Sequence, residues 1–272
     1  MIDMFKSPKH LLKRFFNLFG IAITTTTNLN YLESACHCGS KSDIEFLSAM
    51  PSRHVERLIK LLKHSNAQIR QDLMVLSTLN FKESGFFVEF GATNGISLSN
   101  TNLLETHFGW KGILAEPAKS WQQELKINRP RSKIDFRCVY SASHQKMMFK
   151  ETNVKELSTL EIFMSNDMHT SNRELGKTYL VETVSLMDLL IENNAPEQID
   201  YLSIDTEGSE YDILKNFDFQ RFHFKIITCE HNNTANKELI YELLTSNGYT
   251  QIYDEISKID DWYIHHTAGG KL

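Results

Sequence analysis

Residues 86–95 read FFVEFGATNG, an apolar run holding one acid, Glu89, and closing in a loop bracketed by Gly91 and Gly95. Aromatic and β-branched residues dominate the first five positions, the texture of a buried strand that ends at Gly91. Two readings compete: a buried strand with a tight turn behind it, or a strand end opening onto a nucleotide-like cofactor. In an open parallel sheet, ligands bind beyond the carboxyl ends of the strands. Gly91 lets the backbone approach such a ligand, and Gly95 can take positive φ or open the next helix. The next strand-like run, GILAEP, decides between them. It ends in Glu116, about twenty-five residues after Gly91, where an acid can accept both hydroxyls of a ribose.

GATNG is not GxGxxG, because Thr93 and Asn94 stand where a dinucleotide fingerprint needs its next glycine. Without that glycine and a helix N-terminus aimed at a pyrophosphate, NAD and FAD are disfavoured and a nucleoside without phosphates remains. A carboxylate at Glu89 would repel phosphate and welcome a cation. The cationic nucleoside cofactor is S-adenosylmethionine.

Outward from this block the texture divides the chain. Residues 1–80 show no strand pattern and read as a helical region, with Val55, Leu58, Ile59 and Leu62 on one stripe of HVERLIKLLK. From residue 81 short apolar runs alternate with helical patterns: FFVEFG, NTNLLETHFG, GILAEP, SWQQELKINR, IDFRCVYSA. That alternation predicts an α/β domain over 81–272, a mostly parallel sheet covered by helices on both faces. IDFRCVYSA reads as its third strand. Residues 143–181 form a loosened polar stretch, long enough to cover a site and holding His169 as a candidate substrate contact. YTQIYDEI and DDWYIHH read as a closing pair of strands.

A second constellation lies at two later strand ends, Asp205-Thr206-Glu207-Gly208 and Glu230-His231-Asn232. Carboxylates ending neighbouring parallel strands either bind a divalent cation or raise one another's pKa. Asp205, Glu230 and Asn232 are the candidate Mg²⁺ ligands, with positions left open for an acceptor hydroxyl. His231 is the alternative centre, a base for the acceptor's proton. The plainer reading has Asp205 and Glu207 capping the helix that follows, and it explains Glu207 better than Asp205. Glu210 and Asp212 read as solvated helix charges, Trp110 and Trp121 as packing residues.

Three blocks, FFVEFGATNGISLSNTNLLETHFGWKGILAEP (86–117), IDYLSIDTEGSEYDIL (199–214) and ITCEHN (227–232), together resemble the FkbM-type methyltransferase family. The resemblance spans residues 84–266. It implies a class I, Rossmann-like fold with a seven-stranded sheet, S-adenosylmethionine as cofactor, and O-methylation of a sugar, glycan or secondary metabolite, as in polysaccharide biosynthesis. It places Glu89, Gly91, Ala92, Thr93, Asn94 and Gly95 around the methionine end of the cofactor and Glu116 at the ribose. Asp135, Tyr140 and Ser141 are its candidates for the adenine edge. Family members more often have Gly-Ala-Asn-x-Gly, so Thr93 departs mildly from the pattern.

Composition limits the partners. With 29 Lys and Arg against 34 Asp and Glu, net charge −5, the chain lacks the dense basic face that nucleic acid requires. A small-molecule or glycan acceptor is expected instead. Cys36, Cys38, Cys138 and Cys229 do not match a zinc ligand spacing, and reduced thiols fit a cytoplasmic protein. No apolar run approaches the roughly 20 residues of a membrane span. Residues 6–23 put apolar positions at helical spacing beside Lys6, Lys9, Lys13 and Arg14, the pattern of a helix docked on its own domain or on a partner, or lying peripherally on the inner membrane face. The rival readings are a metal-dependent glycosyltransferase using Asp205 and Glu207, and an inactive methyltransferase-like binding module.

Overall fold

The computed structural model describes residues 40–164, 176–232, 234 and 236–268. Residues 6–23, Cys36, Cys38 and His169 lie outside them. By packing, the chain divides into residues 1–44 and 45–272. Of the first unit only 40–44 are described, opening the helix α1 (Ser40–Ala49). The second continues with α2 (Ser52–Leu61), α3 (Gln71–Thr78), β1 (Phe86–Phe90), α4 (Asn102–Phe108), β2 (Lys111–Ala115), α5 (Gln122–Asn128) and β3 (Lys133–Asp135). Then come β4 (Cys138–Tyr140), β5 (Lys146–Thr152), β6 (Thr159–Leu160), β7 (Gly176–Ser185), α6 (Leu186–Glu192) and β8 (Gln198–Ile204). The last elements are α7 (Glu210–Leu214), β9 (His223–Glu230), α8 (Asn236–Ser246), β10 (Tyr249–Ile252), α9 (Asp254–Ser257) and β11 (Asp260–His265).

Among the described residues, the main sheet has seven strands in the order β10-β11-β9-β8-β1-β2-β3. All neighbours are parallel except β11, which runs antiparallel to both β9 and β10. Strand order reverses between β1 and β8, so the connections leaving their carboxyl ends run to opposite faces of the sheet and open a crevice between them. Alternation along each strand sorts side chains onto two faces. Val88 and Phe90 join Ile113, Ile204 and Ile227 under α6, α7 and α8 through Leu189, Leu214 and Leu244. Phe87 faces the other way with Leu114, Tyr201 and Trp262, under Leu73, Leu103 and Leu125 of α3, α4 and α5.

Helices α2 and α3 belong to that second layer, since Leu58, Leu73 and Met74 pack with Phe87 and Trp110. Of the stripe expected on α2, Leu58 is fully buried while Ile59 is exposed. Gln71 Nε2 donates to Asp260 Oδ2 at 2.8 Å, tying α3 to β11. Asp200, at the amino half of β8, accepts from Lys82 Nζ (2.7 Å), Lys225 Nζ (2.8 Å) and the Phe86 N–H (3.0 Å).

IDFRCVYSA is two strands in two sheets, not one. Asp135 turns the chain by accepting from the N–H of Arg137 at 2.8 Å, and β4 then pairs with β7 in a four-stranded sheet ordered β4-β7-β5-β6. This sheet takes up the loosened stretch, and Phe149, Leu160, Phe163 and Val181 pack it on Ala118 and Trp121. In the closing pair, β10 stops at Ile252 because Tyr253 turns left-handed (φ 57°) into α9.

Candidate active site

The carboxyl ends of β1, β2, β8 and β9 wall a cavity of about 210 Å³, and residues 155–158 and Leu160, at and just before β6, line it too. Gly91, just past β1, has φ +71°, and a Cβ there would stand 2.1 Å from the Asp205 carbonyl oxygen. Only glycine lets the two strand ends come this close. Thr93, Leu98, Glu207 and Asn232, all lining the cavity, also carry positive φ. Left-handed non-glycine residues concentrate where surrounding structure enforces a functional geometry.

Glu116 faces the cavity as expected. Its Oε2 accepts from the N–H of Thr93 and its Oε1 from the N–H of Ala118, both at 2.8 Å, leaving further lone pairs on each oxygen. Burial pushes its carboxyl up to about 7 against the pull of those two N–H groups.

Glu89 lines the cavity too, but its oxygens are already engaged. They accept from the Asn100 N–H (2.7 Å), Ser99 Oγ (3.0 Å) and Thr101 Oγ1, with Arg129 Nη1 at 3.8 Å. Strand alternation places Glu89 on the face of Phe87, toward the start of α4, so it organises that loop while lining the cavity. Fully buried Arg129 completes the frame, donating to Glu105 Oε2 (2.6 Å) and to the Gly95 carbonyl (3.1 Å). A Cβ on Gly95 would meet Arg129 Cγ at 2.5 Å. Nothing in the sequence distinguishes Arg129 from any basic residue ending a helix. Asn94 caps its own loop by accepting from Ile96 and Ser97, and Ala92 is buried beneath it.

The adenine-edge residues are not brought to the cavity. Asp135 forms a two-pronged ion pair with Arg137, Tyr140 lies edge-on to Phe163, and Ser141 lines a separate pocket with Ser143 and Asp188. The division of the third strand causes this, and Cys138, Val139, Pro117 and Phe149 line the cavity instead. Asn100, also lining it, was not singled out. Its Nδ2 donates to Ser203 Oγ at 2.9 Å while its buried Oδ1 has no hydrogen-bond partner.

Also lining the cavity, Asp205, Glu207 and Glu230 each place a carboxylate oxygen within 4.8 Å of the other two. Burial pushes Asp205 up to about 6, and burial plus the neighbouring Asp205 carries Glu230 well above the usual range. Two carboxyls so placed do not both ionise readily at neutral pH. His231 takes no place in this cluster. It follows Glu230 in an extended backbone and so turns to the opposite side, its Nε2 lying 3.4 Å from Asp261 Oδ1. Asn232 lines the cavity and donates from Nδ2 to Glu207 Oε2 at 3.5 Å, so Glu207 holds the position expected for it. Glu210 is buried, not solvated, because its Oε1 accepts from the N–H groups of Thr206 and Gly208 at 3.0 Å and closes the turn before α7.

A seven-stranded sheet with β11 inserted antiparallel between β9 and β10, helices on both faces and a cavity beyond β1, β2, β8 and β9 defines a class I methyltransferase fold. The profile of the methyltransferase FkbM domain matches residues 89–251, more than half of the chain, which belongs to the FkbM methyltransferase family. That membership replaces the glycosyltransferase alternative. Solved structures similar to this chain include the methyltransferase FkbM from Methylobacillus flagellatus (10% identity, TM-score 0.42, 96% of this chain and 72% of that one). A TehB-like SAM-dependent methyltransferase from Corynebacterium glutamicum (8%, TM-score 0.38, 79% and 97%) and the N-terminal domain of human METTL16 (14%, TM-score 0.38, 71% and 66%) are others. No curated protein matches. No described helix is long and apolar enough to cross a membrane.

Proposed function

We propose that this chain binds S-adenosylmethionine in the cavity and methylates a hydroxyl oxygen of a small-molecule, sugar or glycan acceptor. The observation that carries the reading is one cavity lined both by Glu116 and by the acids Asp205 and Glu230. The residues fit the cofactor. Glu116 would accept the ribose hydroxyls, Cys138, Val139 and Phe149 offer an apolar wall for the adenine, and the orphaned Asn100 Oδ1 matches the donor of an amino group. Bound there, the cofactor supplies an electrophilic methyl on a sulfonium that leaves readily.

The protein's own part is alignment and proton handling. As the acceptor oxygen bonds to the methyl carbon and the carbon–sulfur bond breaks, the acceptor's proton passes to Asp205, whose elevated pKa suits that role near neutral pH. An acidic pocket favours oxygen over nitrogen acceptors. Carboxylates would hold an amine as ammonium, with its lone pair blocked, whereas a neutral hydroxyl gains from a nearby proton acceptor. The same acids are the chain's divalent-cation candidates, with Glu207 in the place expected for Asn232. In the Asp205→Asn variant, cofactor affinity measured by calorimetry should stay within about threefold while S-adenosylhomocysteine release over a panel of sugars and glycans falls roughly 10²-fold or more. Undiminished turnover would remove Asp205 from the mechanism.

A further inference from the structure

We propose that Asp205, Glu207 and Glu230 form a binding site for one divalent cation of the oxygen-seeking kind, Mg²⁺ or Mn²⁺. Three residues from two neighbouring strand ends each present an oxygen to a common point, all within 4.8 Å of one another. Around Mg²⁺, with bonds of about 2.1 Å, ligand oxygens stand about 3.0 Å apart when adjacent and about 4.2 Å apart when opposite, so one ion meets all three once the side chains draw in by about 1–2 Å. A cluster of acids alone would not make a site. Here Glu230, only 7% exposed and lining the cavity, also buries an Oε2 with no hydrogen-bond partner. Buried polar atoms are almost always partnered, and an orphaned carboxylate oxygen on an acid clustered with two others wants a cation more than a donor.

The supporting backbone is set for this. Glu207 holds φ +59°, its carbonyl accepts from Thr159 Oγ1 at 3.0 Å, and Asn232 Nδ2 donates to its Oε2 at 3.5 Å. The second sheet therefore fixes the loop that brings Glu207 to the two strand ends. Each acid needs to spend only one oxygen on the ion. Mg²⁺ keeps several positions for water or substrate, and one of them faces the cavity where an acceptor hydroxyl would lie. In placing the acceptor at this end, the inference rests on the function proposed above.

The test is Mn²⁺ binding to the chelator-treated full chain, followed by electron paramagnetic resonance and competed with Mg²⁺. The expected result is one saturable Mn²⁺ per chain, weakened tenfold or more in both Glu207→Gln and Glu230→Gln, with Mg²⁺ displacing it. No saturable binding, or binding unchanged in both variants, would overturn the site. Using two variants keeps the test decisive if one fails to fold, which circular dichroism reports. A parallel S-adenosylmethionine titration on the same samples separates the two readings. Cofactor binding without Mn²⁺ binding rejects the cation site alone, and Mn²⁺ binding without cofactor binding rejects the methyltransferase reading while the ion site stands.

Discussion

Replacing Glu116 by Gln tests the cofactor end of the cavity with almost no change of shape. The native carboxylate accepts a backbone N–H on each oxygen, from Thr93 and Ala118, both at 2.8 Å. Glutamine keeps one acceptor and turns an NH₂ against the other N–H, so one of the two loses its partner in both the free and the bound protein. Affinity falls through a different loss, that of the charge-assisted bond to a ribose hydroxyl, at about 1.5–3 kcal/mol. That corresponds to a roughly 10- to 150-fold weaker Kd at pH 8. The pH dependence adds a second signature. Burial lifts the Glu116 carboxyl to about 7, so below that pH a proton must leave before the group can act purely as an acceptor. Native affinity should weaken as pH falls through 7, approaching tenfold per unit, and Glu116→Gln should lack this component. Calorimetric titration with S-adenosylhomocysteine at pH 6, 7 and 8 measures both. Equal affinities at pH 8 within threefold, or the same slope in the variant, would refute the ribose assignment.

Three further outcomes follow from the same geometry. Gly91→Ala places a methyl 2.1 Å from the Asp205 carbonyl and a side chain at φ +71°; the left-handed backbone alone costs about 1–2 kcal/mol, so calorimetric melting should shift down by several degrees and cofactor affinity should fall with it. Asn100→Ala removes the orphaned Oδ1 and should weaken S-adenosylmethionine more than adenosine, which has no amino acid end; equal losses for the two would rule out contact with the amino group. The ligand-free protein should melt higher near pH 5.5 than near pH 8, because Glu116, Asp72 and Asp260 are each raised to about 7. A raised carboxyl binds more protons folded than unfolded, so stability falls as pH rises from about 4 toward 7, and a melting temperature that rises over that interval would contradict those shifts.

The main sheet was legible because its evidence is local. Strands β1, β2, β8 and β9 are apolar runs whose last residues change abruptly to Gly or acid, and each ends within a residue or two of where that change falls. The positions of Gly91, Glu116, Asp205 and Glu230 follow from strand ends alone. What sequence reasoning missed depends on direction and not on position. Glu89 lines the cavity, but the pleat also binds it to Ser99, Asn100 and Arg129, and His231 lies next to Glu230 but against Asp261. Asp135 and Tyr140 do not line the cavity for a different reason. Arg137 folds back on Asp135 and diverts the chain into a second sheet, and an Asp-x-Arg pair inside an apolar run carries no mark of that. Glu207 was hidden by a sound plainer reading, the helix cap, whereas no side chain caps α7 and Glu210 closes the turn before it.

The distribution of buried charge suggests why the two ends of the cavity differ. Arg129 meets Glu89 and Glu105 beneath the Gly95 loop, and Lys82 with Lys225 meets Asp200 at the far edge of the sheet, so the protein supplies cations where acids support the fold. At the carboxyl edge, Glu116 is held by two N–H groups, and Glu230 keeps an oxygen with no partner. Buried carboxylates left in this condition destabilise the fold at neutral pH, a cost that persists when the surrounding structure has a ligand to gain. A positively charged cofactor and a divalent ion would each relieve it, by binding the folded state alone. Their stabilisation should therefore be larger at pH 8, where the acids are ionised, than at pH 5.5, where protons already occupy them. Thermal shifts induced by S-adenosylmethionine and by Mg²⁺ that are no larger at pH 8 would mean that these acids do not serve the ligands.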